Sequence, residues 1–247
     1  MELSVAGWAL AVLAAVAVGL AKGGLSMVSM IAVPILSLVM SPVQAAGILL
    51  PVYVVSDLFG LIVWRRDVRW RVLGLAMPGT LAGVGIGWAL ASRVSDAAVA
   101  GVVGGIGLVF ALNALIRPPL GAQPGQAQAG PATIWGVVAG FTSFVSHAGA
   151  PPWQIYVQPL RLPVVAYAGT TTVYFALLNA AKLGPYAALG QLSAANLRMS
   201  VMLLLPAALS VWVGMRLVRI IPQAMFYRLI TWALLIVSLR LVWVALA

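Results

Sequence analysis

The chain has 247 residues, of which 63% are hydrophobic and 7% charged. Soluble domains average roughly 45–50% apolar residues, and so few charges could not cover the core that this composition would build, which excludes a soluble globular fold. The formal charge of +10 comes from arginines that flank apolar segments and form no basic tract, so they read as topology signals and lipid-headgroup anchors and exclude a nucleic-acid surface.

The expected class is therefore an all-α polytopic membrane protein in contact with the lipid bilayer. The chain lacks cysteine, which excludes disulfides and thiolate metal sites, and it carries one histidine and four acidic residues. Those residues assemble neither a catalytic carboxylate pair nor a metal cluster. With no GxSxG elbow and no phosphate loop, we expect no enzyme, no cofactor and no metal. The segment from Leu3 to Ala21 follows Glu2 where a signal peptide would carry a basic region, so it is expected to be kept as a helix.

A crossing needs about 20 apolar residues. Segment one runs over Leu3–Ala21 and meets Lys22-Gly23-Gly24. Segment two, Leu25–Met40, is short and carries Pro34. Segment three, Val43–Trp64, holds Pro51 and Asp57, and the arginine loop from Arg65 to Arg71 follows it. Segments four and five are Val72–Ala91 and Ala97–Ile116. Arg117 to Pro131, rich in Pro, Gly and Gln, is a linker. The pattern then restarts: segment six over Ala132–Ser146, a second break at His147–Pro152, and segment seven, Trp153–Leu160, too short to cross alone. Segments eight to ten are Val164–Leu189, Leu197–Val213 and Met225–Ala245.

The two halves, 1–116 and 132–247, align at a constant offset of 125 over their first three segments. Lys22 falls on His147, Gly24 on Gly149, Pro34 on Pro159 and Asp57 on Lys182; later Pro78 answers Pro206 and Gly87 answers Gly214. Each half thus reads as one copy of a duplicated unit in a single membrane domain, a broken helix pair followed by three helices, giving 8–10 membrane segments overall. Each broken pair, whether re-entrant hairpin or two crossings, returns the chain to its starting side. Each copy then makes an odd number of net crossings, so the repeats are inverted. With the Arg65–Arg71 loop in the cytoplasm, Arg117, Arg161, Arg216, Arg219 and Arg228 fall there too, only Arg93 and Arg198 lie outside, and both termini are external.

Matched breaks in two halves of a membrane protein point to a transport site, because backbone freed from a helix survives in a bilayer only where protein buries it or a polar cavity meets it. A charge at a helix centre costs about 2.5–3.5 kcal/mol, which makes Lys22, Asp57 and Lys182 candidates, with Arg240 a weaker one. Lys22, Gly23 and Gly24 at one break, and Ser146, His147 and Gly149 at the other, are candidate anion ligands. Helix N-termini restarted after a break favour anions there. Ser26, Gln154, Gln158, Thr170, Thr171, Thr172 and Asn179 supply hydroxyl and amide donors, and Thr172, Asn179 and Lys182 share one helix face. The plainer alternatives are a structural Asp57–Lys182 ion pair, a Lys22 that snorkels to an interface, and Ser/Thr hydroxyls bonded to their own helix. Asp57 and His147 are candidates for charge balance or coupling, histidine being the side chain whose ordinary pKa, ~6.5, lies near working pH. Gly83/Gly87, Gly101/Gly105 and Gly214 read as close-packing surfaces.

The stretch Phe141-Thr142-Ser143-Phe144-Val145-Ser146-His147-Ala148-Gly149-Ala150-Pro151-Pro152 resembles the second-repeat signature of the sulfite exporter TauE/SafE family. Gly169-Thr170-Thr171 followed by Asn179, Lys182, Pro185 and Tyr186 is similar as well, as is the first half with Gly23-Gly24, Pro34, Asp57 and Pro78-Gly79. The resemblance covers almost the whole chain. It departs at the first break, where Lys22 precedes two glycines in place of a longer run, and at Ala150, where a second glycine is expected. The resemblance implies a secondary transporter for export or uptake of sulfite, organosulfonates or related small anions across the bacterial inner membrane, and export is the direction expected here. An anion channel with the breaks as its filter is the alternative. Proton or sodium coupling and assembly as a homo-oligomer stay open at this point.

Overall fold

A computed structural model describes residues 3–90, 95–116 and 125–246. They form ten α-helices and two short 3₁₀ segments, with no strand among the described residues. In order these are α1 (Val5–Lys22), a 3₁₀ segment (Ser26–Ile31) leading into α2 (Ala32–Leu36), α3 (Pro42–Trp64), α4 (Trp70–Leu90) and α5 (Asp96–Ile116). After the linker come α6 (Ala129–Ser146), α7 (Ala150–Val157) running into a 3₁₀ turn (Gln158–Leu160), α8 (Val164–Ala188), α9 (Ala194–Ile220) and α10 (Gln223–Leu246). Six of them, α1, α3, α4, α8, α9 and α10, are long and apolar enough to cross a membrane, so the all-α polytopic class holds.

Apolar runs between charged or Gly/Pro-rich stops set most helix ends within a few residues of expectation. Helix α9 is the exception, running seven residues past Val213 to Ile220. Gly214 packs against Leu20 and Gly23 of α1, the close contact expected of it, and α9 continues through it. Helix α6 begins inside the expected linker, at Ala129, because Pro131 falls in its first turn where a missing N–H costs nothing. Residues 117–124 of that linker, and Arg93, lie outside the described residues.

The chain divides into two compact units that do not follow chain order: Met1–Val68 with Val165–Ile220, and Arg69–Val164 with Ile221–Ala247. The first contains α1, α2, α3, α8 and α9. Here α1 lies against α9, and Gly19 and Gly23 sit directly on the α9 backbone at Ala207 and Val211. Helix α3 also packs on α9, tied by the Ser200 hydroxyl, which donates to the Ile48 carbonyl at 2.7 Å. One apolar core joins Ala11, Ala14 and Val18 of α1, Ala32 and Leu36 of α2, Ile48 and Leu49 of α3, and Leu203 and Ala207 of α9. Since α2 shares that core with the middle of α1, the chain doubles back at the first break.

The second unit contains α4, α5, α6, α7 and α10. Helices α4 and α6 meet through glycines on both sides: Gly79 and Gly83 against Thr133 and Val137, Gly136 and Gly140 against Ala76 and Thr80. Gly87 abuts Phe144. Helix α5 packs on α10 through Gly104 and Gly107 against Ser238, with Gly101 near Ala245. The expected Gly101/Gly105 surface is thereby shifted, since Gly105 meets no neighbour. Helix α7 folds back on α6, as α2 does on α1. In each unit the first helix of one half thus pairs with the fourth segment of the other, α1 with α9 and α6 with α4.

Candidate functional site

The first unit encloses a polar cluster built on the broken end of α1. The N–H of Gly24 bonds the Ala21 carbonyl at 3.0 Å and that of Leu25 bonds the Leu20 carbonyl at 3.2 Å, a Schellman closure with glycine in the left-handed position. Gly24 has φ 118° and is wedged between Val218 and Ala168, so both backbone conformation and space require glycine there. The helix stops with Lys22 as its last residue, its side chain 5% exposed. It does not snorkel to an interface.

The Lys22 ammonium lies 2.7 Å from Asp57 Oδ1 on α3. It also sits over the rings of Tyr53 (α3) and Phe175 (α8), 5.1 and 5.7 Å from their centroids. The other carboxylate oxygen accepts a hydrogen bond of 2.9 Å from Asn179 Nδ2 of α8. The Lys22 carbonyl, left without an intrahelical partner by the break, accepts from the Thr172 hydroxyl at 3.3 Å. Thr172, Asn179 and Lys182 form one buried face of α8, as their spacing predicts, and Lys182 lies fully buried within electrostatic range of both Lys22 and Asp57. An Asp57–Lys182 pair was one expectation; the ion pair at Asp57 is instead with Lys22. Tyr53 and Phe175 were not legible as part of this site, because an aromatic residue in an apolar span carries no signal of the cation it will cover. Tyr53 is held in place by its hydroxyl, which donates to the Ser29 carbonyl at 3.1 Å.

The second break lies in the other unit and closes differently. His147 itself takes the left-handed conformation, φ 55°, with its N–H on the Ser143 carbonyl at 3.2 Å, while the Thr142 hydroxyl donates to the Ala148 carbonyl at 3.1 Å. By its capping position His147 corresponds to Gly24, although the constant sequence offset sets it opposite Lys22. Histidine tolerates this conformation better than most non-glycine residues. Exchanging His147 for glycine is expected to leave thermal stability within about 1 kcal/mol. A melt of the purified variant checks this, and any accompanying loss of transport then belongs to the imidazole.

All eight residues of α7 are buried, Gln154 among them. Its first turn contains Pro151 and Pro152, which have no N–H, so this helix end offers an anion two fewer backbone donors than an ordinary one. Gln158 Nε2 donates to the Thr231 hydroxyl of α10 at 2.7 Å, and Thr170 bonds back to the Ala166 carbonyl of its own helix at 2.7 Å. Of the expected site residues, Lys22, Gly23, Gly24, Asp57, Thr170, Thr171, Asn179 and Lys182 belong to the first unit, and Ser146, His147, Gly149 and Gln154 to the second. The side chain of Ser146 lies outside the described residues. Arg240, the weaker candidate, is exposed on α10.

Among known families, the model for the family described as Sulfite exporter TauE/SafE matches residues 11–241. Neither the curated proteins nor the solved structures contain a chain that matches this one.

Proposed function

The chain belongs to the sulfite exporter TauE/SafE family, and from that premise we propose that it is a secondary exporter of small sulfur-containing oxyanions, sulfite or a sulfonate, in the bacterial inner membrane. Membership makes it a multi-pass membrane transporter for a small anion. The choice of anion, the direction of transport and the compartment are our reading. The observation that carries it is the buried polar cluster of the first unit, where two lysines and one carboxylate converge beside a broken helix. Such a cluster is costly in lipid and marks a functional site by default. Lys182 is assigned the substrate-facing charge, with Asn179, Thr170 and Thr171 on the same helix and Lys22, Gly23 and Gly24 at the break.

In the second unit Ser146, His147, Gly149 and Gln154 are assigned anion contacts at the matched break. Asp57 and His147 are assigned charge balance and proton coupling. Purified protein in liposomes loaded with radiolabelled sulfite should show saturable flux that unlabelled sulfite or a sulfonate competes for. Sulfite, sulfate and sulfonate fluxes that all fail to saturate would sink the transporter reading.

The duplicated halves are assigned opposite orientations, supported by the doubling back at each break and by the reciprocal α1–α9 and α6–α4 pairings. Single cysteines placed in this cysteine-free chain should then react from outside near the termini and stay protected at the α3–α4 and α9–α10 junctions, within Arg65–Arg71 and Ile220–Arg228. Labelling of a junction cysteine, or protection of a terminal one, overturns the orientation.

A further inference from the structure

The chain passes between the two compact units three times, at Val68–Arg69, Val164–Val165 and Ile220–Ile221. In the first unit these passages involve the end of α3, the start of α8 and the end of α9. The three are gathered together. The Arg219 guanidinium of α9 lies 5.7 Å over the ring of Trp64, the last residue of α3, and Gly169 of α8 abuts the Asp67 carbonyl. In the second unit they involve the start of α4, the turn after α7 and the start of α10. Arg161 of that turn lies 5.5 Å over the ring of Tyr227, whose hydroxyl donates to the Leu162 carbonyl at 2.8 Å. Arg71 of α4 is within electrostatic range of Tyr156 of α7, so these ends are gathered as well. The opposite ends are closed inside each unit. Gly47 of α3 sits on the Gln191 carbonyl of the α8–α9 turn, and Ala245 near the end of α10 lies beside Gly101 of α5.

All three covalent tethers therefore join one end of the first unit to one end of the second, and none joins the far ends. The tethers are short: residues 65–69, 161–163 and 221–222. Even fully extended, the three Cα–Cα steps from Ile220 to Gln223 span about 11 Å, so α9 and α10 stay close at this end whatever moves elsewhere. Sliding of one unit along the other is thereby limited, whereas turning about the tethered end is not. We propose that the two units move by rotation about this arginine-bearing end, with the three tethers as the hinge and the widest excursion at the far end. Helix α9, with 27 residues, is about 40 Å long. A rotation of about 10° then carries the far end through about 7 Å and the hinge end through about 1 Å.

The cysteine-free chain allows thioether-linked nitroxide pairs to be placed without background. Their distances are read by double electron–electron resonance in lipid nanodiscs, with and without methanesulfonate. Arg66→Cys with Arg228→Cys reports the hinge end, and Ser193→Cys with Trp88→Cys reports the far end. Ser41→Cys with Ser193→Cys, and Trp88→Cys with Leu246→Cys, are controls within one unit; all six positions are exposed. The far-end pair should give a distribution much wider than the controls, or two populations about 7 Å apart, while the hinge-end pair changes by about 1 Å. Equal displacement at both ends, larger displacement at the hinge end, or a far-end distribution as narrow as the controls under both conditions overturns the hinge. Far-end motion without saturable sulfite or sulfonate flux removes the transport reading and leaves the hinge standing.

Discussion

Asp57→Leu should prevent the protein from accumulating in folded form, whereas the double substitution Lys22→Met with Asp57→Leu should restore it. The single change leaves the Lys22 ammonium inside the first unit with only the faces of Tyr53 and Phe175 for company, and it leaves the Asn179 amide without its acceptor. Removing one partner of a buried ion pair costs about 3–5 kcal/mol, a large part of a typical domain's total stability. Replacing both partners with apolar groups of similar volume is commonly neutral or stabilising by 1–4 kcal/mol, because neither charge must then be desolvated. Detergent-solubilised yield and melting temperature of the wild type, the two single variants and the double variant form a thermodynamic cycle. A double variant no more stable than Asp57→Leu would show that the pair is not the reason Asp57 is needed.

The ends of the apolar segments were legible because a bilayer imposes a length and because Gly, Pro and Arg punctuate it. The cluster was legible in part: the cost of a charge in lipid singles out Lys22, Asp57 and Lys182 from composition alone. The pairing among them was not. Repeat symmetry sets Asp57 against Lys182, but an ion pair forms where side chains can reach, and the Gly23-Gly24 closure delivers Lys22 to α3. His147 shows the same limit, since a constant offset aligns it with Lys22 while its backbone performs the cap that Gly24 performs. Nor does hydrophobic patterning say which helix a given helix will meet. That α1 rests on α9 and α4 on α6 follows from glycines whose spacing marks a close contact without naming the partner.

Gly83→Leu should disrupt the second unit. A Cβ at Gly83 would collide with the Val137 carbonyl and approach the Phe141 amide, both backbone groups of α6 that no rotamer change can move aside. Gly79 meets Thr133 in the same way and Gly140 meets Thr80 from the opposite helix, so the two axes are held together along several turns. Lipid offers no hydrophobic drive between helices, and this close approach is the main source of their attraction. Forcing α4 and α6 apart is therefore expected to cost about 3 kcal/mol or more, seen as a large fall in melting temperature. Gly85→Ala, two residues away on an exposed face with nothing near it, serves as the control and should be neutral or stabilising by about 0.5–1 kcal/mol. Equal losses in the two variants would mean that helix propensity, and not interhelical packing, governs α4.

Because each compact unit draws helices from both halves of the chain, neither can be completed from one half alone. During synthesis α1 to α3 must wait in the bilayer until α8 and α9 emerge from the ribosome, with the Gly19–Gly23 surface and the Lys22–Asp57 pair still lacking their later neighbours. The same arrangement means that a break in the covalent chain between the halves need not abolish assembly. Residues 1–116 and 125–247, expressed as separate polypeptides, carry complementary parts of both units, so each fragment acts as the folding template of the other. Complementation between the fragments, with neither stable by itself, is the genetic signature of such an exchange.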